Sequence, residues 1–99
     1  PEGLSAHDQS DTELFLDIDL SVLGAREDVF DVYEKNIRKE YAFVPELLYR
    51  RARGGILQGF LARERLYFSD LFQARWETPA RANLKRSIDK LMTEDSAHV

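Results

Sequence analysis

The chain has 99 residues, 43% hydrophobic and 32% charged, with a formal net charge of -4. These proportions are typical of a globular domain and exclude an intrinsically disordered one. The chain has no cysteine, which excludes a disulfide framework and a thiolate metal site and favours a reducing compartment. There is no run of about 18 apolar residues and no visible signal peptide. We therefore expect a cytoplasmic protein that does not cross a membrane.

The charge is unevenly distributed along the chain. Residues 1–25 contain six carboxylates and no Lys or Arg, whereas the remainder contains 14 basic and 12 acidic residues. This acidic start argues against nucleic-acid binding. The chain begins at Pro1 and lacks an initiator Met, so we expect it to be trimmed or cut from a longer protein.

The predicted elements begin with a polar, flexible segment over residues 1–10. Residues 12–23 alternate apolar and polar side chains as a strand would. However, Asp11 or Thr12 is a good helix N-cap, and Gly24 suits the position after a helix. No second strand candidate exists to pair with this segment, so a helix is favoured over 12–23.

The second and third helices are predicted over residues 26–43 and 46–61. Pro45 separates them, because the residue before a proline avoids helical geometry and proline fits the start of a helix. Gly54 and Gly55 weaken the middle of the third helix and make a kink possible. The face of the second helix that we expect to be buried consists of apolar residues at helical spacing, namely Val29, Tyr33, Ile37, Tyr41 and Val44.

Two more helices are predicted at the end of the chain. Ser69 is a plausible cap for a helix over 69–76, and Thr78–Pro79 is a start signal for a helix over 79–92. Residues 93–99 are predicted to be flexible. The sequence thus predicts a single all-α domain, residues 1–99, built as a bundle of four to five helices.

One carboxylate of the first helix lies among apolar positions. With about 100° per residue, Asp19 falls between two apolar groups, whereas Asp17 falls beside Ser21 on the polar side. We therefore predict that Asp17 is solvated and that Asp19 points toward other protein. A buried carboxylate must be paired or metal-bound, so Asp19 is a candidate for a salt bridge, a helix cap or a metal ligand.

Two other charged residues fall within apolar faces. Glu40 lies in the stripe of the second helix, and Arg81 lies between Ile88 and Met92 on the last helix. The apolar face of that last helix, which we expect to be buried, consists of Ala80, Leu84, Ile88, Leu91 and Met92. Glu40 and Arg81 could pair with each other or with Asp19, and the Arg81 stem could instead pack while its head reaches water. A local basic cluster is a candidate for binding phosphate, because the planar guanidinium of arginine presents hydrogen-bond donors in a geometry that matches phosphate oxygens. The cluster consists of Arg50, Arg51, Arg53, Arg63 and Arg65.

Several separated segments resemble bacterial HD-superfamily proteins, which are predicted metal-dependent phosphohydrolases. The first is DTELFLDIDLSVLGA, Asp11–Ala25, and the resemblance extends from about residue 11 to residue 90. The later segments are IRKEYAFVPELLYRRAR (Ile37–Arg53), FLARERLYFSDLF (Phe60–Phe72) and ARANLKR (Ala80–Arg86).

The resemblance implies an all-helical HD-type fold in which a His, a His-Asp pair and a distal Asp hold one or two divalent metals. By position the distal Asp is Asp19. The His and His-Asp ligands precede the matched segment in that family and are not in this chain, so we expect an amino-terminal half to supply them. Glu40, Arg53 or Arg81 would orient water or substrate phosphate.

Two hypotheses follow. In the first, the chain is the carboxyl-terminal portion of a metal-dependent phosphohydrolase and is inactive alone. The intact enzyme would act on a small phosphate ester or nucleotide, and its catalytic groups are unknown. The second is a non-enzymatic helical interaction module, in which Asp19, Glu40 and Arg81 form a buried ion-pair network. In the second hypothesis a partner or homo-oligomer surface is formed by exposed aromatic residues, namely Tyr67, Phe68, Phe72 and Trp76.

Overall fold

A computed structural model describes residues 6–96 of the chain, with side chains described over residues 12–92. The elements, in chain order, are α1 (Ala6–Leu20), a 3₁₀ turn (Ser21–Gly24), α2 (Glu27–Glu40), α3 (Glu46–Leu61) and α4 (Asp70–Ser96). Within residues 6–96 there is no strand. The predicted all-α bundle is confirmed, with four α-helices.

The helix ends differ from the prediction at both termini of the chain. α1 begins at Ala6, so residues 6–10, predicted to be irregular, are helical. At the other end α4 extends to Ser96, so residues 93–96, predicted to be flexible, are helical as well. The predictions for residues 1–5 and 97–99 lie outside the described residues.

The two last predicted helices are one continuous helix, α4, with Pro79 in its interior. An interior proline removes one backbone hydrogen bond and costs about 3 kcal/mol or more. Apolar side chains on both sides of it, Trp76 before and Ala80 and Leu84 after, pack in the same core. Burial on both sides therefore offsets the local cost and keeps the helix continuous. α3 is also unbroken through Gly54 and Gly55.

The core lies where α4 packs against α3 and against the 3₁₀ turn. On α4, Ala80, Leu84 and Ile88 are buried as predicted, whereas Met92 is 53% exposed. The remaining members of the buried cluster are Leu23, Phe30, Leu57, Leu66 and Tyr67.

The predicted buried stripe of α2 is mostly exposed. Val29, Tyr33 and Tyr41 are exposed, and the one buried residue of α2 is Phe30. α2 is oriented by polar contacts on the side opposite the predicted stripe. There Glu34 binds Arg53 of α3, and Asp31 binds Arg86 of α4. The wrong face was predicted because periodicity identifies an apolar stripe but not what covers it.

α3 also leaves apolar side chains exposed. Leu47, Leu48 and Ile56 are 46–57% exposed, while Tyr49 and Leu57 are buried. Among the described helices, none has the length and apolar character needed to cross a membrane.

Candidate functional site

Asp17 of α1 is fully buried and binds the start of α4. Its carboxylate oxygens accept hydrogen bonds from the backbone N–H of Phe68 at 2.7 Å and of Ser69 at 2.8 Å. Ser69 in turn accepts the N–H of Phe72 with its side-chain oxygen, as an N-cap does. The negative charge therefore lies at the end of α4 where the helix dipole favours it.

The predicted environments of the two aspartates of α1 are wrong in both cases. Asp17 is buried, and Asp19 is exposed. A cap of a neighbouring helix was one of the roles considered for Asp19; instead Ser69 caps α4, and Asp17 holds the backbone of Phe68 and Ser69 just before it. Nothing in the sequence could place Asp17, because its partners lie 51 and 52 residues away. A metal-binding role for Asp19 stays a prediction.

The face of α1 that carries Asp19 is apolar and exposed. Phe15, four residues before Asp19, is 66% exposed, and Leu14 and Ile18 are 46% and 48% exposed. Residues three or four apart on a helix are neighbours, so Phe15 lies next to Asp19. The sequence correctly identified apolar side chains around Asp19, but the described residues of the chain leave them exposed.

Glu40 has a similar setting on α2. It is exposed, and it lies at helical spacing from the exposed Val29 and Tyr33, along the stripe that continues to Ile37. α1 and α2 thus each present an uncovered apolar face that includes one carboxylate.

Arg53 of α3 is held by Glu34 of α2. Two parallel hydrogen bonds join them, Nε to Oε1 at 3.1 Å and a terminal nitrogen to Oε2 at 2.5 Å, and both side chains are largely buried. Burial lowers the pKa of Arg53, but hydrogen bonding to Glu34 together with the negative charge of Glu34 outweighs burial, and the net effect raises the pKa. The guanidinium is therefore occupied in joining two helices.

Arg81 ties the end of α3 to α4. It donates to Glu77 at 2.8 Å, one turn earlier on the same helix, and to the carbonyl oxygens of Leu61 at 2.8 Å and Arg63 at 2.7 Å. Glu77 also accepts the backbone N–H of Leu66. The predicted pairing of Arg81 with Asp19 or Glu40 is wrong. The Glu77–Arg81 spacing of four was a sequence signal for the observed pair.

The predicted basic cluster does not form one phosphate-binding surface. Arg50 pairs with Glu46, and Arg63 donates to the carbonyl oxygen of Leu66. Arg65 donates to the carbonyl oxygens of Tyr67 and Phe68. These guanidiniums satisfy the chain's own carboxylates and carbonyls.

Three of the four aromatic residues predicted to be exposed belong to the core. Tyr67 is fully buried, and Phe72 and Trp76 are partly buried against the core. The rings of Phe72 and Trp76 meet edge to face with their centroids 4.7 Å apart. The Tyr67 hydroxyl donates to the carbonyl oxygen of Leu20 at 2.8 Å. Burial, together with the nearby carboxylates of Glu77 and Asp17, raises the pKa of Tyr67 to about 12. Phe68 is 41% exposed.

A groove of about 760 Å³ runs between α2, α3 and α4. Its charged groups are largely paired: Arg86 binds Asp31, and Arg38 donates to two carbonyl oxygens and lies 4.5 Å over the ring of Tyr49. Hydrogen bonding from Arg86 lowers the pKa of Asp31 despite the opposing effect of burial. None of the four predicted site residues lines this groove.

The predicted site residues are therefore held on separate surfaces: Asp19 on α1, Glu40 on the exposed stripe of α2, Arg53 against Glu34, and Arg81 against Glu77. In the described part of the chain, no three His, Asp or Glu side chains are grouped so that they could hold a metal ion. The described residues therefore do not form a three-ligand metal site by themselves. No protein-family model, curated protein or solved structure matches the chain.

Proposed function

We propose that this chain is the carboxyl-terminal portion of a metal-dependent phosphohydrolase and that α1 presents Asp19 to a segment carrying the remaining metal ligands. The observation that carries the proposal is the α1 face on which an exposed carboxylate lies beside exposed Phe15. Apolar side chains of this size favour contact with another protein surface. A carboxylate among them needs a cation once water is removed.

The resemblance to HD-superfamily proteins implies that this cation is a divalent metal ion. In such proteins a divalent metal lowers the pKa of a bound water and neutralises charge on a phosphoryl oxygen. Asp19 would be one ligand, and the His and His-Asp ligands would lie on the covering segment. The substrate would be a small phosphate ester or nucleotide.

The structure favours a supporting role for Arg53 and Arg81 over phosphate binding. Each guanidinium is already occupied by a carboxylate, and Arg81 also by carbonyl oxygens. Within the proposal, these two arginines fix the positions of α2, α3 and α4, and Glu40 belongs to a second uncovered face.

The test uses the complete protein, meaning this chain together with the segment that carries the His ligands. Mn²⁺ is titrated into the wild type, Asp19→Asn and Glu13→Gln, the last being a control that neutralises another exposed carboxylate of α1. We expect stoichiometric Mn²⁺ binding and hydrolysis of p-nitrophenyl phosphate in the wild type and control, and loss of both in Asp19→Asn. Wild-type Mn²⁺ content in Asp19→Asn would refute the proposal.

A second candidate is a helical interaction module without catalytic activity. It is favoured by the partly buried ion pairs Glu34–Arg53 and Glu77–Arg81, which give the bundle a polar framework unrelated to metal. Under this hypothesis the α1 face binds a protein surface and the complete protein takes up no Mn²⁺. The same titration therefore separates the two candidates.

A further inference from the structure

Asp17 connects α1 to the backbone just before α4. Among residues 12–20 it is the only one that is fully buried, and Leu20 is the only other that is not exposed. The large apolar side chains before Leu20 point away from the core and are 44–66% exposed. The usual means of orienting a helix, burial of an apolar stripe, is therefore nearly absent from residues 12–20, the part of α1 whose side chains are described.

Polar contacts take its place. The Asp17 carboxylate receives the N–H groups of Phe68 and Ser69, and one turn later the carbonyl oxygen of Leu20 receives the Tyr67 hydroxyl. These partners are the three consecutive residues that immediately precede α4. Two contacts one turn apart along a helix resist both its rotation and its tilt.

We infer that Asp17 is a positioning residue: its carboxylate fixes the rotation of α1 and so sets the direction in which Asp19 points. The two aspartates are separated by about 200° around the helix. When Asp17 faces the bundle, Asp19 must therefore face outward beside Phe15. This inference rests on the proposed function for its consequence at the metal, but the orientation of α1 can be measured independently.

The experiment measures Mn²⁺ affinity and amide hydrogen exchange of α1 in the complete protein. The variants are Asp17→Asn, which replaces one of the two acceptor oxygens by an NH₂ group that faces an N–H donor, and Tyr67→Phe, which removes the second contact without changing charge. Because Asp17→Asn could fail to fold, Tyr67→Phe keeps the inference testable. Ile88→Ala is the control: it creates a cavity in the core away from these contacts.

We expect Asp17→Asn and Tyr67→Phe to accelerate exchange in residues 12–20 and to weaken Mn²⁺ binding by roughly tenfold or more, as groups that orient a metal ligand do. Ile88→Ala should lower the melting temperature without either effect. Unchanged α1 exchange in both variants, or equal acceleration in the control, would overturn the inference.

The proposed function fails differently. If Asp19→Asn binds Mn²⁺ like the wild type, Asp19 is not a ligand. Faster α1 exchange in Asp17→Asn and Tyr67→Phe would then still support the positioning of α1 by Asp17.

Discussion

Gly24, at the end of the 3₁₀ turn, lies directly against the side chain of Trp76 on α4. A Cβ atom on Gly24 would lie 2.7 Å from the Cβ of Trp76 and 3.0 Å from its Cγ. Trp76 cannot yield at its Cβ, because that atom is fixed to the backbone of α4. The close approach lets the turn pack on α4, and it explains glycine here without any requirement for an unusual backbone angle.

Gly24→Ala is therefore expected to destabilise the chain by about 1–3 kcal/mol, since overpacking forces the backbone to shift. Gly55→Ala is the matched control, because a Cβ there meets nothing within 4 Å. In the interior of α3 the added methyl group should stabilise the protein by roughly 0.5–1 kcal/mol. Urea denaturation measures both changes, and equal effects of the two substitutions would contradict the role assigned to Trp76.

The buried carboxylate of Asp17 should be far more important for stability than that of Asp19. Asp17→Ala leaves two N–H groups without their acceptor, and we expect a loss of roughly 2–4 kcal/mol. Asp19→Ala alters an exposed side chain and should change the free energy of unfolding by less than about 0.5 kcal/mol. Chemical denaturation of the two variants gives the comparison. A larger loss for Asp19→Ala would mean that α1 is rotated relative to this structure.

The sequence predicted the helical class and the buried face of α4, because helix signals are local and α4 is the helix on which the core is built. The helical wheel of α1 also grouped the apolar residues correctly around Asp19. It failed in assigning that face to the interior, since the choice depends on the contact of Asp17 with Phe68 and Ser69. A contact between residues so far apart in sequence leaves no periodic pattern from which it could be predicted.

At Pro79 a local sequence signal was present but predicted the wrong structure. Thr78 and Pro79 form a sound local start signal, yet one helix continues through them because Trp76, partly buried, and Ala80, fully buried, pack in the same core. Local rules were overridden by packing, as happens wherever burial contributes more than the local penalty.

Arg81 should not be replaceable by lysine. Its planar guanidinium reaches Glu77 and the carbonyl oxygens of Leu61 and Arg63 at the same time, a geometry that a single ammonium group does not reproduce. We expect Arg81→Lys to cost about 1–3 kcal/mol, whereas Arg51→Lys, at an exposed position of α3, should cost less than about 0.5 kcal/mol.

The Glu77–Arg81 contribution can be separated by a double-mutant cycle. Glu77→Gln, Arg81→Lys and the double variant should show a coupling of about 0.5–3 kcal/mol. Additive losses would mean that the carbonyl contacts of Arg81, not Glu77, account for its effect.

Tyr67 makes the free energy of unfolding depend on pH in the alkaline range. Its pKa is raised to about 12 in the folded chain from an ordinary value of 10.0, so the unfolded state releases the phenolic proton first. The stabilisation is complete below about pH 10 and is lost as the pH rises through about 12. In Tyr67→Phe, the melting temperature should fall less steeply between pH 9 and about 11.5. Tyr41→Phe, which removes an exposed phenol, should retain the wild-type slope.

Phe15 tests whether the α1 face is a contact surface. In this chain alone, Phe15→Glu replaces a side chain that is 66% exposed and should change stability by less than about 0.5 kcal/mol. In the complete protein the added carboxylate would be buried beside Asp19, so Mn²⁺ binding should weaken or disappear. Leu71→Glu is the control, because Leu71 on α4 is 71% exposed and remote in sequence from Asp19. If both substitutions affect Mn²⁺ binding equally, the α1 face has no special role, whereas a selective effect of Phe15→Glu places the covering segment on α1.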